Sequence, residues 1–285
     1  MKKRKLNSKP QSRGFKYWYR RAVTVLWILI ELLPFYWMLV LPWKTWDDAL
    51  NSPFSIPTTF TLTNFQTVLS KFNLPRGMLN SFLYSLIIAA SACFFGLLAA
   101  YGITRMRKKS APLFDKYLKL GLVMPAMCLV STTFLILKKI NLIGTFWAVV
   151  LPTTAILQCA TTLSFSVWFK RVPSEYEEAA VVYGCGPFRL FTQIMLPQIA
   201  PAILIQFTTI FILIWNNYEQ FKVYALGKAP TPVTMMIDQL FHLQKSQDWG
   251  IIGAGILMSS IPSIIVYCFF NKYLQKAYTG SGSLK

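Results

Sequence analysis

Residues 174–197 read SEYEEAAVVYGCGPFRLFTQIMLP, a polar, helix-forming stretch between two long apolar segments. Three glutamates fall near its start, where a helix N-terminus favours negative charge, and Ser174 is placed to cap the first free amides. Gly184 and Gly186 allow a sharp turn, and Pro187 suits the first position of a second short helix. The pattern predicts a helix-turn-helix outside the lipid, and we call this stretch the elbow.

The composition of the chain is that of a polytopic membrane protein. Its 285 residues are 54% hydrophobic and only 14% charged, whereas a soluble domain of this size carries more charge on its surface. The mean hydropathy is +0.45. The five cysteines show no paired spacing, so they indicate small hydrophobic residues and no metal site. The single histidine, His242, cannot build a zinc site alone.

Apolar stretches of membrane-spanning length predict an all-α bundle of six transmembrane helices. The six predicted spans are 22–41, 79–104, 118–137, 145–169, 200–221 and 250–271. Pro125 predicts a kink in the third span, and residues 64–70 predict a short helix in the first loop. In the second span, a stripe of small residues predicts the close approach of a neighbouring helix. The stripe consists of Ala89, Ala92, Gly96, Ala99 and Ala100.

The distribution of positive charge orients these spans. Residues 1–21 hold nine Lys and Arg and no acidic residue, which predicts an uncleaved first span behind a basic cytoplasmic tail. Residues 42–78 then form an extracellular loop, and 79–271 form a core of five spans that includes the coupling loop 171–199. Residues 272–285 form a cytoplasmic tail. Most of the 29 Lys and Arg fall on the cytoplasmic side of this arrangement, so the net charge of +19 does not require a nucleic acid partner.

The elbow resembles the EAA signature of ABC importer permeases. The sequence has Glu-Ala-Ala, then three residues, a glycine, nine further residues and Ile-Met-Leu-Pro, which is the complete spacing. In that family the elbow is the coupling helix, which docks into a groove on a cytoplasmic ATPase. The alternative is an ordinary amphipathic loop helix. The resemblance assigns ATPase coupling to Glu178, Ala179, Ala180, Gly184, Gly186, Ile194, Leu196 and Pro197.

Shorter matches along the chain narrow the resemblance to carbohydrate-type permeases. They include LPFYWM at 33–38, AYG at 100–102, FKRVP at 169–173 and DWG at 248–250. The pattern is similar to the six-span subunit of a heterodimeric sugar importer in the bacterial plasma membrane, with both termini cytoplasmic. It implies a second permease, two ATPase subunits, an extracellular solute-binding protein and a sugar substrate. Tyr183 departs from the pattern, because the family usually has Asp before the glycine of the elbow.

No motif for catalysis is present in the sequence. It contains neither a phosphate-binding Gly-rich loop followed by Lys-Ser or Lys-Thr, nor a His-Glu metal motif, nor a Gly-x-Ser-x-Gly nucleophile turn. We therefore expect a transporter subunit without a cofactor, with ATP hydrolysis on a partner.

Polar side chains within or beside the spans are the candidates for a substrate path. Glu31 lies near the centre of the first span, where a charge is costly in lipid, so we expect it to face protein or water. For Glu31 the alternative role is a snorkelling or neutral structural glutamate. For each of the other candidates it is a hydrogen bond between helices, worth about 0.6 kcal/mol on average. The candidates are Gln158, Thr161, Gln206, Asn216, Asn217, Glu219 and Glu31.

Two other functions are compatible with the sequence. The same machine could carry a non-sugar solute such as a peptide or polyamine. A membrane enzyme or receptor could also contain an amphipathic loop, although intramembrane catalysis calls for clustered acids or histidines, and Glu31 is the only acid well inside a predicted span.

Overall fold

The computed structural model describes residues 15–105, 110–243 and 248–280. Within these ranges the chain is all α, as the sequence predicts. The predictions for the basic residues at 1–14 and 106–109 and for the last five residues lie outside the described residues. The long helices are α1 (Phe15–Val40), α4 (Leu74–Arg105), α5 (Ala111–Val123), α6 (Ala126–Lys139), α7 (Phe146–Phe169), α11 (Ala200–Trp215), α13 (Val233–Leu243) and α14 (Trp249–Gly280).

Shorter helices connect them. The first loop holds α2 (Trp46–Asn51) and α3 (Thr63–Ser70), which confirms the predicted loop helix to within one residue. The elbow holds α8 (Glu175–Val182) and a second arm made of α9 (Pro187–Arg189), a π-helical turn (Leu190–Met195) and α10 (Leu196–Gln198). After α11 comes α12 (Glu219–Tyr224).

Four segments are long and apolar enough to cross a membrane as single helices. They are Tyr17–Trp43, Leu74–Arg105, Phe146–Phe169 and Trp249–Asn271, which correspond to the predicted first, second, fourth and sixth spans. The helix of the sixth span continues beyond its apolar part to Gly280, so the predicted boundary at 271 marks the end of the apolar stretch and not of the helix.

The predicted third span is wrong as a single helix. It is divided between α5 and α6, whose axes differ by 96°. Met124 and Pro125 at the break both have extended backbone. Proline lacks an N–H and disfavours helical geometry in the residue before it, so both effects act at this junction. The expected kink at Pro125 is therefore a complete break.

The predicted fifth span is also wrong at its end, because α11 stops at Trp215 and not at 221. Asn216 turns its side-chain amide back to the carbonyl of Ile212, 2.9 Å away, and asparagines favour such local bonds over continued helix. At its other end α11 meets the second arm of the elbow at an angle of 75°. Pro197 and Pro201 flank this bend and cannot donate backbone hydrogen bonds across it.

The core is built around α4, which packs against α7 and α11. Four of the five predicted small residues of α4 are buried, and Ala99 is exposed, which corrects the predicted stripe at that position. A Cβ added to Gly96 would lie 2.6 Å from the Thr161 methyl carbon of α7. The glycine therefore permits the close contact of the two spans that the sequence predicts.

The first span stands apart from this core. None of its most apolar stretch is buried within the described chain, and Glu31 is exposed on it, so no contact within the described residues covers this carboxylate.

The loop that follows the first span packs against α14. The Asn64 side-chain amide donates to the carbonyls of Pro42 and Lys44 at 2.9 and 2.8 Å, and a Cβ on Gly250 of α14 would lie 2.4 Å from the same amide nitrogen.

Candidate functional site: the elbow and an adjacent polar cleft

The turn of the elbow is a Schellman motif at the end of α8. The N–H of Cys185 donates to the carbonyl of Ala180, and the N–H of Gly184 donates to the carbonyl of Val181, both at 2.9 Å. Gly184 has a φ of +74°, the left-handed conformation that this motif requires and that glycine adopts without strain. The predicted sharp turn at Gly184 is confirmed.

Two details of the elbow differ from the sequence prediction. Ser174 has helical backbone and its side chain makes no capping hydrogen bond, so the predicted cap is wrong. Gly186 has a φ of −68° and a ψ of 159°, an extended conformation open to any residue and preferred before a proline. Only Gly184 needs glycine for its backbone, and Pro187 begins the second arm as predicted.

The tip of the elbow carries large apolar side chains in solvent. The exposed fractions are 84% for Val182, 90% for Tyr183 and 80% for Phe188. Exposed apolar side chains grouped on one turn are typical of a docking surface. We call these three residues the apolar tip. Sequence reasoning treated Tyr183 only as a departure from the EAA pattern, although three apolar residues around a polar turn were visible in the sequence.

The residues of the EAA signature lie near this tip and differ in their exposure to solvent. Glu178, Ala179 and Pro197 are exposed, while Ala180 is buried and supports the turn. Ile194 and Leu196 are half-buried in the second arm and pack against the core. Between the two arms lies a hollow of about 520 Å³ lined by Tyr176, Ala179 and Ile194 among others.

The elbow is fixed to the spans by one ion pair and one aromatic cluster. The guanidinium of Arg105, the last residue of α4, donates from Nε to Glu177 Oε2 at 2.7 Å and pairs with the other carboxylate oxygen. The Glu177 side chain is only 17% exposed, so the pair is partly shielded from water. Phe191 of the second arm lies 5.0 Å from the ring of Tyr101 and 6.5 Å from that of Phe169. The first arm is therefore attached to the end of α4, and the second arm to the ends of α4 and α7.

A second site lies at the far end of α11, where the helix breaks. A cleft of about 750 Å³ opens between this break and the start of α6. Asn216, Asn217 and Glu219, all predicted for the substrate path, line it together, with Gln220 beside them. The side-chain oxygen of Gln220, Oε1, accepts a hydrogen bond from the Thr153 hydroxyl at 2.9 Å and another from the Asn217 side-chain amide at 3.2 Å. Asn217 Oδ1 is buried and has no hydrogen-bond partner within the described residues.

The other predicted path residues do not line this cleft. Gln158 donates to the Thr154 carbonyl of its own helix at 3.3 Å, and the Thr161 hydroxyl donates to the Leu157 carbonyl at 2.8 Å. Thr161 is buried against α4, and Gln206 is half-buried in α11. For Gln158 and Thr161 the contacts are those of helix structure, and Glu31 lies on the separate first span. Sequence position alone could not separate these residues from the cleft group.

The described residues contain no group of three or more His, Cys, Asp and Glu side chains that could hold a metal ion. All five cysteines are free.

Comparison with known families decides which class of membrane protein this is. Residues 92–279 match the family model described as binding-protein-dependent transport system inner membrane component. The chain belongs to this family. The matched range includes α7, the whole elbow, α11 and the cleft, and it places the chain among transport proteins, which does not favour the alternative of a membrane enzyme or receptor. The EAA resemblance is thus confirmed at the level of the family.

Curated relatives of this family member extend over nearly the whole chain. It is 26% identical to the diacetylchitobiose uptake system permease protein NgcG of Streptomyces coelicolor, across 88% of this chain and 83% of the relative. It is 28% identical to the trehalose/maltose transport system permease protein MalG of Thermococcus litoralis, across 92% and 94%.

Solved structures show the same fold. A bacterial ABC transporter involved in the import of the acidic polysaccharide alginate contains a chain that superposes with a TM-score of 0.79 at 17% identity, covering 93% of this chain and 98% of that one. A second structure of an alginate transporter, in complex with an alginate pentasaccharide-bound periplasmic protein, gives a TM-score of 0.68 at 15% identity, with coverages of 91% and 94%. The all-α permease fold predicted from the sequence is confirmed.

Proposed function

We propose that this chain is one permease half of an ATP-driven glycan importer, coupled to ATPase subunits through the elbow. The observation that carries the proposal is the apolar tip, which projects from a rigid turn and is joined to α4 and α7 through Arg105, Glu177 and Phe191. These contacts connect the elbow to two spans, so a movement of the elbow can be passed on to them. The chain has no phosphate-binding loop of its own, so ATP hydrolysis falls to the partner.

The proposed assembly contains a second permease, two ATPases and an extracellular solute-binding protein. The family description supports a binding protein, and one of the two alginate transporter structures is a complex with a periplasmic protein that holds an alginate pentasaccharide. The cleft beside α11 is open on one side, which suits a translocation path completed by a second permease. Closure of the ATPases on ATP would bring the two elbows together and switch the cavity from inward- to outward-facing.

The proposed substrate is an oligosaccharide or related glycan. The relatives that support it are the diacetylchitobiose and trehalose/maltose permeases, which share most of their length with this chain. The cleft supports it independently, because Asn216, Asn217 and Gln220 supply amide donors and acceptors of the kind that bind sugar hydroxyls. We assign Asn216, Asn217 and Glu219 to the path and Gln158 and Thr161 to helix packing.

Uptake measurements test the substrate class. Deletion of the gene should abolish uptake of at least one glycan from a labelled panel and leave amino-acid, peptide and polyamine uptake unchanged. Loss of peptide or polyamine uptake with intact glycan uptake would contradict the proposal and favour the non-sugar solute.

Topology and assembly test the coupling role. Both termini and Gly184 should report a cytoplasmic location in reporter fusions, while a fusion at Thr58 in the first loop should be external. The tagged chain should co-purify an ATPase subunit from native membranes. An external signal at Gly184 would refute a coupling role for the elbow.

A further inference from the structure

The lining of the cleft beside α11 carries negative charge and no positive charge. Ten residues line it, and among them Glu219 carries the only formal charge, while no Lys, Arg or His is present. Glu219 is exposed, and its side chain has no hydrogen bond or ion pair within the described part of the chain. An ionised carboxylate only accepts hydrogen bonds, so it attracts hydroxyl and ammonium donors and repels anions.

The basic residue nearest to Glu219 in sequence, Lys222, has other partners. Lys222 hydrogen-bonds the Tyr218 hydroxyl, and its Nζ lies 4.9 Å from the centre of that ring. It also pairs with Asp238 Oδ2 at 3.8 Å, and Asp238 in turn contacts His242 at 3.3 Å. The charge of Lys222 is thus shared with Asp238 on α13 and with the Tyr218 hydroxyl.

The neutral groups of the cleft are arranged for an uncharged polar ligand. Asn216 is exposed in the lining, and Asn217 Oδ1, although buried, has no hydrogen-bond donor among the described residues. Met127 and Val130 of α6 add apolar side chains to the same lining. Polar groups that bind hydroxyls, beside an apolar surface for the faces of a sugar ring, suit a glycan without acidic groups.

We infer that Glu219 gives this half of the path a negative potential that admits neutral or amino-bearing glycans and excludes uronic-acid glycans. The inference rests on the proposed function, and it makes Glu219 a specificity-determining residue. Discrimination of this kind comes from a repulsive contact with the wrong substrate. Repulsion between two like charges about 4 Å apart in water weakens binding about fivefold, and the effect is larger where water is excluded.

The potential can be measured without knowing the substrate. In the assembled transporter, in a variant without the five native cysteines, Met127→Cys would place a thiol in the cleft lining that also contains Glu219. The rate at which this thiol is labelled is measured with two methanethiosulfonate reagents. One carries a cationic trimethylammonium-ethyl group and the other an anionic sulfonatoethyl group. We expect the cationic reagent to be favoured about fivefold over the ratio seen with a free thiol, which is the change that one unit charge about 8 Å away in water gives when it attracts one reagent and repels the other.

Two further variants identify the source of the potential. Glu219→Gln keeps the size of the side chain and should return the labelling ratio to that of the free thiol. Asp47→Asn removes an exposed carboxylate from α2, outside the cleft, and should leave the ratio unchanged. An equal ratio with and without the Glu219 charge would overturn the inference, because a cation from a partner subunit would then neutralise this carboxylate.

Uptake gives the second readout and separates this inference from the proposed function. Cells expressing the wild-type chain are offered labelled neutral gluco-oligosaccharides, chitosan oligomers and oligogalacturonates. We expect import from the first two classes only. Import of oligogalacturonates at a rate equal to that of a neutral glycan would overturn the inference and leave the glycan importer intact. Failure to import any glycan would instead refute the proposed function, while the labelling ratio would still report the potential of the cleft.

Discussion

Gly184 offers the sharpest test of the elbow because its backbone, and not its surroundings, demands glycine. Its φ is +74°, and a Cβ placed there would meet no atom within 4 Å in this chain. The penalty for an L-residue is therefore conformational, about 1–2 kcal/mol. Since 1.4 kcal/mol is a factor of ten, Gly184→Ala should lower the equilibrium constant for forming the native turn by about fivefold to thirtyfold. The two hydrogen bonds of the Schellman motif are lost whenever the turn changes conformation.

The assay measures coupling separately from folding. Membrane abundance and assembly with the second permease should stay near wild type, because no span is altered. Transport rate and substrate-stimulated ATP turnover, each normalised to abundance, should fall for Gly184→Ala, by at most the factor on that equilibrium constant, about thirtyfold, and should fall further for the β-branched Gly184→Val. Gly186→Ala is the matched control. It adds the same methyl two residues away, where the backbone is extended and no atom lies within 4 Å.

A third substitution distinguishes backbone strain from crowding against the ATPase. Asparagine is larger than alanine but adopts the left-handed conformation more readily. If strain sets the penalty, Gly184→Asn should retain more activity than Gly184→Ala. The reverse order would show that bulk in the docking groove decides the effect. Wild-type transport by both variants would refute the role of the turn in coupling.

Three other predictions concern the parts that support the sites. Glu177→Gln keeps the size of the side chain and removes the ion pair with α4, worth about 1 kcal/mol for a partly exposed pair, so stimulated ATP turnover should fall up to about fivefold with normal abundance. Gly96→Leu forces a side chain into α7 and should destabilise the purified chain by about 1–3 kcal/mol in thermal unfolding, whereas Gly102→Leu, with no atom within 4 Å, should have no such effect. Hydrogen bonds from Thr58 lower the pKa of Asp48, so its contribution to the first loop is present at neutral pH and is lost as the pH falls through that lowered pKa. Asp48→Asn should make the loop easier to cleave by protease at pH 7, and unchanged cleavage would contradict this.

The sequence determined the class of the protein and most of its helices because their signals are local. Apolar length alone predicts a membrane span, and four spans appear as single helices near the predicted positions. The EAA spacing located the elbow, and the requirement for a left-handed residue at Gly184 follows from the way a helix ends. Each of these features depends on a few neighbouring residues, so no knowledge of distant contacts was needed.

Only the tertiary structure decided how the sites are assembled. The break at Pro125 and the early end of α11 place α6 against Asn216 and Glu219, which no local pattern predicts. The ion pair between Arg105 and Glu177 joins residues 72 positions apart. Polar residues in apolar helices look alike in sequence, whether they bond to their own helix or line a cleft. The difference lies in which helix packs opposite them, and that is fixed by contacts between distant parts of the chain.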